Sequence, residues 1–229
     1  MRTHKTLTKM KLLGKIKHQI LLSVIGLLIS AGFMSVSHDP GLLGMSMQSF
    51  KGETFELNKI TNNSASIFIF FLPDCPLAQN YTLTIKDLTE KFKEENPKVY
   101  FVIPGKDYSK KEIKEFSTQY QIEAIPILLD PDYQFATYLG ASISPECFLI
   151  DKKGDVQYQG AIDNWAYELG KKRQVITEKY LEEALATFYK NGNILTKKTK
   201  AIGCFLNMPN HKEHHSKEEK HNAHQHQNK

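Results

Sequence analysis

The sequence predicts an α/β domain built on a mixed β-sheet with helices on both sides. Three observations predict it. Short apolar runs of strand length alternate with amphipathic segments of helical period between residues 66 and 139, giving the order βαβαβ. The run at 67–72 is apolar at every position, as in a strand buried on both faces. A strand–turn–strand at 147–159 and a last amphipathic helix then add an antiparallel end to the sheet.

Residues 42–63 predict a short strand or hairpin leading into the core, with Phe50-Lys51-Gly52 as its turn and Phe55 and Leu57 alternating with polar neighbours. The buried strand at 66–72 stops at Pro73, and a helix starts near Pro76 and runs to about residue 95. Leu77, Tyr81, Ile85, Leu88 and Phe92 recur at steps of three and four and mark its inner face. Residues 99–103 form a second buried strand, ended by Pro104-Gly105. Ser109 is a good N-cap for a helix to about residue 119, with Ile113 and Phe116 inward. A third strand spans 125–129, and a short helix over 133–139 ends at Gly140, a C-cap residue. Lys152-Lys153-Gly154 turns the strand at 147–150 into an antiparallel return at 156–159. Thr177 is the expected cap of a last helix to about residue 190, with Tyr180, Leu181, Ala184, Leu185 and Phe188 inward and Asn191-Gly192 ending it.

The 229 residues divide into four parts. In residues 1–37, Arg2, Lys5, Lys9, Lys11, Lys15 and Lys17 form a basic head before an uncharged apolar run at 20–36, the pattern of a signal peptide or signal anchor. Ser35-Val36-Ser37 resembles a small-x-small cleavage site. At about 17 residues the run is at the short edge of what spans a bilayer, so soluble export (periplasmic or secreted) and membrane tethering both stay open. Either way the basic end stays in the cytoplasm and the domain lies outside it, where disulfide chemistry is expected. Residues 42–190 are the folded domain, 191–210 a C-terminal extension carrying Cys204, and 211–229 a polar tail with nothing apolar to pack. A formal charge of only +5, with lysines spread along the chain, gives a nucleic-acid role little support. Walker, GxGxxG, HExxH and GxSxG motifs are absent from the sequence.

The candidate reactive residue is Cys75, in Asp74-Cys75-Pro76. Pro76 fits the first position of a helix, where its missing N–H costs nothing. A cysteine at that junction faces unpaired N–H groups and the positive end of the helix dipole, both of which favour the nucleophilic thiolate. Asp74 counts the other way, because an adjacent negative charge favours the thiol. The competing reading of Cys75 is a buried, inert structural cysteine.

This pattern resembles the thioredoxin-like redoxins, the group that contains the AhpC/TSA peroxiredoxins and the TlpA-type thiol oxidoreductases, over roughly residues 44–190. Asp74-Cys75-Pro76 carries the resemblance at the strand–helix junction. Ser144-Pro145 carries it before an apolar strand, where the resemblance implies a cis-proline facing the active cysteine. The turn at residues 148–155 is the third element. Closer still, a Gln-Asn-Tyr after the cysteine site, residues 160–165 and residues 199–204 are similar to a subgroup of exported redoxins. The resemblance implies a thiol oxidoreductase or peroxidase that uses Cys75 as nucleophile, with Pro145 positioning the substrate, on a protein disulfide, small thiol or peroxide. It implies no required cofactor.

The sequence departs from the pattern at Ala78, which stands where a CxxC site has its second cysteine. A dithiol site releases its substrate when the second thiolate attacks the mixed disulfide, and Ala78 cannot. The Pro-x-x-x-Thr/Ser-x-x-Cys signature of peroxiredoxins is also incomplete, with Leu72 three before Cys75. Cys204 is a candidate resolving residue on a segment expected to be mobile, or else an anchor or free thiol. Cys147, within a strand, reads first as a small core residue. Tyr81 and Trp165 read as structural, although the resemblance places residues 163–165 near the site. The rival function is a non-catalytic binding or metal-handling protein that has lost CxxC.

No histidine lies between Asp39 and Asn210, which excludes Cys–His pairs in the domain and weighs against copper delivery. His211, His214, His215, His221, His224 and His226 crowd the tail. Their irregular spacing matches no zinc module, so the expectation is weak zinc, copper or nickel capture or simply a solvated tail.

Overall fold

The computed structural model describes residues 41–208; the predicted signal segment and the histidine tail lie outside the described residues. The N-terminal stretch forms the expected hairpin, β1 (Ser46–Ser49) and β2 (Thr54–Glu56), turning at residues 50–52 and framed by two short 3-10 turns. The uniformly apolar run becomes β3 (Ala65–Phe70), every residue of which is buried. A 16-residue helix, α1 (Pro76–Lys91), follows, then β4 (Lys98–Pro104), α2 (Lys110–Gln119), β5 (Ile127–Asp130) and α3 (Gln134–Leu139). The chain continues through β6 (Ile143–Ser144), β7 (Glu146–Asp151), β8 (Val156–Gly160), β9 (Ala166–Glu168), β10 (Lys171–Lys172), α4 (Tyr180–Tyr189) and β11 (Cys204–Phe205).

Seven strands form one sheet in the order β2-β1-β5-β4-β3-β7-β8. β3, β4 and β5 run parallel, while β1, β2, β7 and β8 join antiparallel. The alternation along β3 assigns its two faces. On one, Phe68 and Phe70 meet Phe135 of α3 at ring distances of 5.0 and 5.8 Å. On the other, Phe71 meets Phe101 of β4 and Phe116 of α2 at 4.7 and 5.1 Å. Helices therefore cover both faces, as the sequence predicts for a thioredoxin-like α/β sheet.

Local signals set most of the boundaries. Ser109 accepts from the Glu112 N–H while the Glu112 carboxylate accepts from the Ser109 N–H, a complete capping box for α2. Gly140 closes α3 in the left-handed conformation. Asp130 is buried and accepts from the N–H groups of Phe135 and Ala136, which starts that helix; burial raises its carboxyl pKa despite those bonds.

Two expectations are corrected. Thr177 does not cap the last helix, which starts at Tyr180 with Lys179 as its N-cap and no side-chain cap bond. Thr177 is held instead by Asn164, whose side-chain amide both donates to its hydroxyl at 2.7 Å and accepts from its N–H at 3.1 Å. The segment around Cys204 is not a loose arm either, since it pairs with the fold at two places described below.

Candidate functional site

The site forms where β3 leaves the sheet. Cys75 is the N-cap of α1 and Pro76 occupies its first turn. The Cys75 N–H donates to the Leu72 carbonyl, and the Cys75 carbonyl accepts from the Gln79 N–H, both at 3.0 Å. These bonds fix the cysteine at the mouth of the helix, where N–H groups of the first turn lack helical partners.

The register of β3 on β7 pairs Phe70 with Glu146 and so brings the chain before β7 beside the chain after β3. The Ser144–Pro145 bond is cis, as the resemblance implied. The Ser144 hydroxyl accepts from the Leu72 N–H at 2.8 Å, and its carbonyl oxygen lies 3.2 Å from Cys75 Sγ. Glu146 braces this loop: one carboxylate oxygen accepts from the Ser142 N–H at 3.0 Å, and the other from the Gln159 side-chain amide.

Cys204 arrives from the C-terminal extension. It pairs with Ser144 in the β6–β11 ladder and forms a disulfide with Cys75, Cα to Cα 6.0 Å, across 129 residues of sequence. The connection left open by the sequence is therefore Cys75 to Cys204. Cys147 is the free cysteine among the described residues. It lies inside β7, fully buried, with its thiol donating to the Gly160 carbonyl at 3.2 Å. Burial, reinforced by Glu146, pushes that thiol well above its ordinary pKa. Ala78, at the place of a CxxC second cysteine, is buried in the first turn of α1.

The remaining sequence candidates divide. Tyr81 is core: its hydroxyl donates to buried Asp163 at 2.6 Å, its ring meets Trp165 edge-on at 5.6 Å, and burial raises its phenol pKa. Asp163 also accepts from the Trp165 N–H at 2.8 Å. Asp163 and Tyr81 border a narrow crevice with Pro145 and Ile202, so this segment backs the cis-proline loop rather than rimming open solvent. Asp74 is exposed and accepts from the Tyr108 hydroxyl, whose pKa burial and that carboxylate raise. The six tail histidines lie outside the described residues. Among the described residues no group of three His, Cys, Asp or Glu side chains is placed to hold a metal ion, and no helix is long and apolar enough to cross a membrane.

Sequence reasoning missed the groups that hold the extension in place. Thr199 docks on β8: its N–H donates to Gln159 and its hydroxyl accepts from the Ala161 N–H. Tyr158 gives its proton to the Ala161 carbonyl, so the Thr199 hydroxyl donates to the Tyr158 oxygen at 2.6 Å. Gly160 lies opposite with φ 136°, and a side chain there would strike the Thr199 backbone. The similarity at residues 199–204 was the available signal, and it assigned no roles.

A cysteine at a helix N-terminus, a cis-proline loop against its sulfur and a sheet of this order define a thioredoxin-like redoxin. The comparisons agree. The AhpC/TSA family model matches residues 43–159, and the chain belongs to that family. Among solved structures, a hypothetical protein from Sinorhizobium meliloti 1021 is similar at 19% identity and a TM-score of 0.63, covering 73% of this chain and 93% of that one. An uncharacterized conserved protein from Geobacillus kaustophilus is similar at 15% identity and 0.61, covering 72% and 90%. The MTB dsbF structure, in mixed oxidized and reduced forms, is similar at 15% and 0.50, covering 64% and 96%. These likenesses are of fold. No curated protein matches the chain.

Proposed function

We propose that this AhpC/TSA-family chain is an extracytoplasmic thiol redox protein in which Cys75 is the nucleophile and Cys204 the resolving residue. The Cys75–Cys204 disulfide, at the start of α1 and against the Ser144–Pro145 loop, carries this reading. In the reduced protein the Cys75 thiolate attacks a disulfide sulfur or a peroxide oxygen. The product is a mixed disulfide with loss of a thiolate, or a sulfenic acid with loss of an alcohol or water. The Cys204 thiolate then attacks Cys75 Sγ, expels the substrate thiolate or water, and leaves the disulfide. Two external thiols, or one dithiol, return both cysteines to the reduced state and leave as a disulfide. Cys204 thus supplies the step that Ala78 cannot. The fold likeness to MTB dsbF, described in oxidized and reduced forms, is in keeping with a cysteine pair that cycles.

The basic head and apolar run of residues 1–37 support export, with membrane attachment if the segment is retained. The histidine tail is proposed as a weak site for zinc, copper or nickel, accessory to the redox role. Replacing Cys75 by Ser abolishes turnover of disulfide and peroxide substrates, and replacing Cys204 by Ser stalls the protein as a Cys75 mixed disulfide trapped by mass spectrometry. Unchanged turnover without Cys75 would sink its assignment as nucleophile, while no turnover by the unaltered protein would leave the binding or metal-handling reading, which Ala78 favours, as the better one.

A further inference from the structure

We propose that Tyr108 is a positioning residue for the chemistry of Cys75: by holding the Asp74 carboxylate, it leaves the start of α1 free for the sulfur. The inference rests on Cys75 being the nucleophile, and it names a residue beyond the two cysteines and the cis-proline loop. Cys75 is the N-cap of α1, makes no side-chain cap bond, and precedes a first turn without acidic residues. Past Pro76, the first N–H groups of the helix are those of Leu77 and Ala78, which have no carbonyl one turn back inside the helix to bond. The next, of Gln79, is taken by the Cys75 carbonyl at 3.0 Å. Leu77 and Ala78 therefore supply the donors that stabilise a Cys75 thiolate.

Asp74 is the competitor for those donors. It stands one residue before the N-cap, where a carboxylate is drawn to the same N–H groups and the same end of the helix dipole. Placed there it would occupy the donors and also repel the thiolate. The fold directs it elsewhere. Asp74 is exposed, and its carboxylate accepts from the hydroxyl of Tyr108, in the loop between β4 and α2. Among the described residues Asp74 enters no ion pair, which leaves Tyr108 as the side chain that orients it.

Tyr108 is suited to hold it. It packs against the hydrophobic core, so its hydroxyl comes from a fixed place. Burial raises its phenol pKa, and Asp74, Asp107 and Glu112 raise it further, so the tyrosine remains a proton donor across the range in which a thiol titrates. The turn that carries Asp74 has its own brace, a bond from the Gln79 side-chain amide to the Pro73 carbonyl at 2.8 Å. The other polar groups about the sulfur have separate partners. The Ser144 carbonyl lies 3.2 Å from Cys75 Sγ, and Glu146 accepts from the Ser142 N–H and the Gln159 amide. Asp163, across the crevice behind Pro145, accepts from Tyr81 and the Trp165 N–H, and Cys204 meets Cys75 from β11. Loss of the Tyr108 hydroxyl therefore frees one charge next to the sulfur, that of Asp74.

The test follows alkylation of Cys75 against pH in the reduced full chain with Cys204→Ser, the labelled site being identified by peptide mass mapping. Tyr108→Phe keeps the ring and removes only the hydroxyl. The expected result is a profile moved to higher pH, with the rate at a fixed pH on its rising part about two- to fivefold lower, the size of a charge effect at a helix end. Asp74→Ala should move the profile to lower pH, and adding Tyr108→Phe to Asp74→Ala should then change nothing. Urea unfolding is measured beside each variant, because a purely structural tyrosine would lower stability and leave the pH profile in place. An unmoved or lowered profile in Tyr108→Phe, no downward move in Asp74→Ala, or the same Tyr108→Phe effect without Asp74 would overturn the proposal while leaving Cys75 a nucleophile. A Cys75 that stays inert across the whole pH range would instead overturn the proposed function.

Discussion

Cys75 and Cys147 are matched in burial and opposed in situation. Both are buried, and each sulfur lies 3.2 Å from a main-chain carbonyl, Ser144 for one and Gly160 for the other. Cys147 is enclosed by the sheet itself, in β7 between β3 and β8, and uncovering it means opening the core. Cys75 sits past the end of its strand, where the two-residue β6–β11 ladder brings Cys204 against it. On the proposed function, the two sulfurs differ less in how much of each is covered than in what has to move to uncover it.

The largest expected effect separates the pair directly. Cys75→Ser removes turnover, whereas Cys147→Ala retains it and loses only core packing; thiol-consumption assays with both variants check this, and equal losses would erase the contrast. Alkylation sharpens it. In the reduced native protein Cys75 and Cys204 should be labelled, while Cys147, held protonated by burial, should label only on unfolding, by peptide mass mapping. Across neutral pH its labelling should not rise, since its titration lies well above the ordinary thiol range.

Next in size is the cost of opening the disulfide. A bond closing so long a loop is worth ~2–4 kcal/mol, so reduction or Cys204→Ser should lower stability to urea by that order, with no comparable loss from reduction in the Cys204→Ser protein. Thr199→Val removes the hydroxyl that bridges Tyr158 and Ala161 and should cost ~1–3 kcal/mol while slowing resolution of the mixed disulfide. The smallest expected effect is a control away from both sulfurs. Ser109→Ala breaks the α2 capping box, for ~1 kcal/mol of stability, and should leave thiol reactivity unmoved.

The parts legible in the sequence are those with a local cause. β3 was visible because residues 67–70 are all apolar, α2 because Ser109 is an N-cap residue, and the Cys75 junction because Pro76 marks a helix start. Thr177 misled because a distant side chain, Asn164, took the hydroxyl that would have capped α4. β11 was invisible for another reason. A two-residue strand has no periodicity to read, and its partner β6 lies some sixty residues away in sequence. Cys204 could be named as a candidate, but its pairing is a property of the sheet edge it meets.

The docking of Thr199 on β8 turns the stretch between it and Cys204 into a measured length of chain. Residues 200–203 act as a ruler between a fixed peg and the sulfur they deliver. One residue more or fewer would shift Cys204 out of register with Ser144, the pairing that sets it against Cys75. Apart from Gly203, where a side chain would strike the Ser144 carbonyl, changes of composition in this stretch should disturb the disulfide less than changes of length.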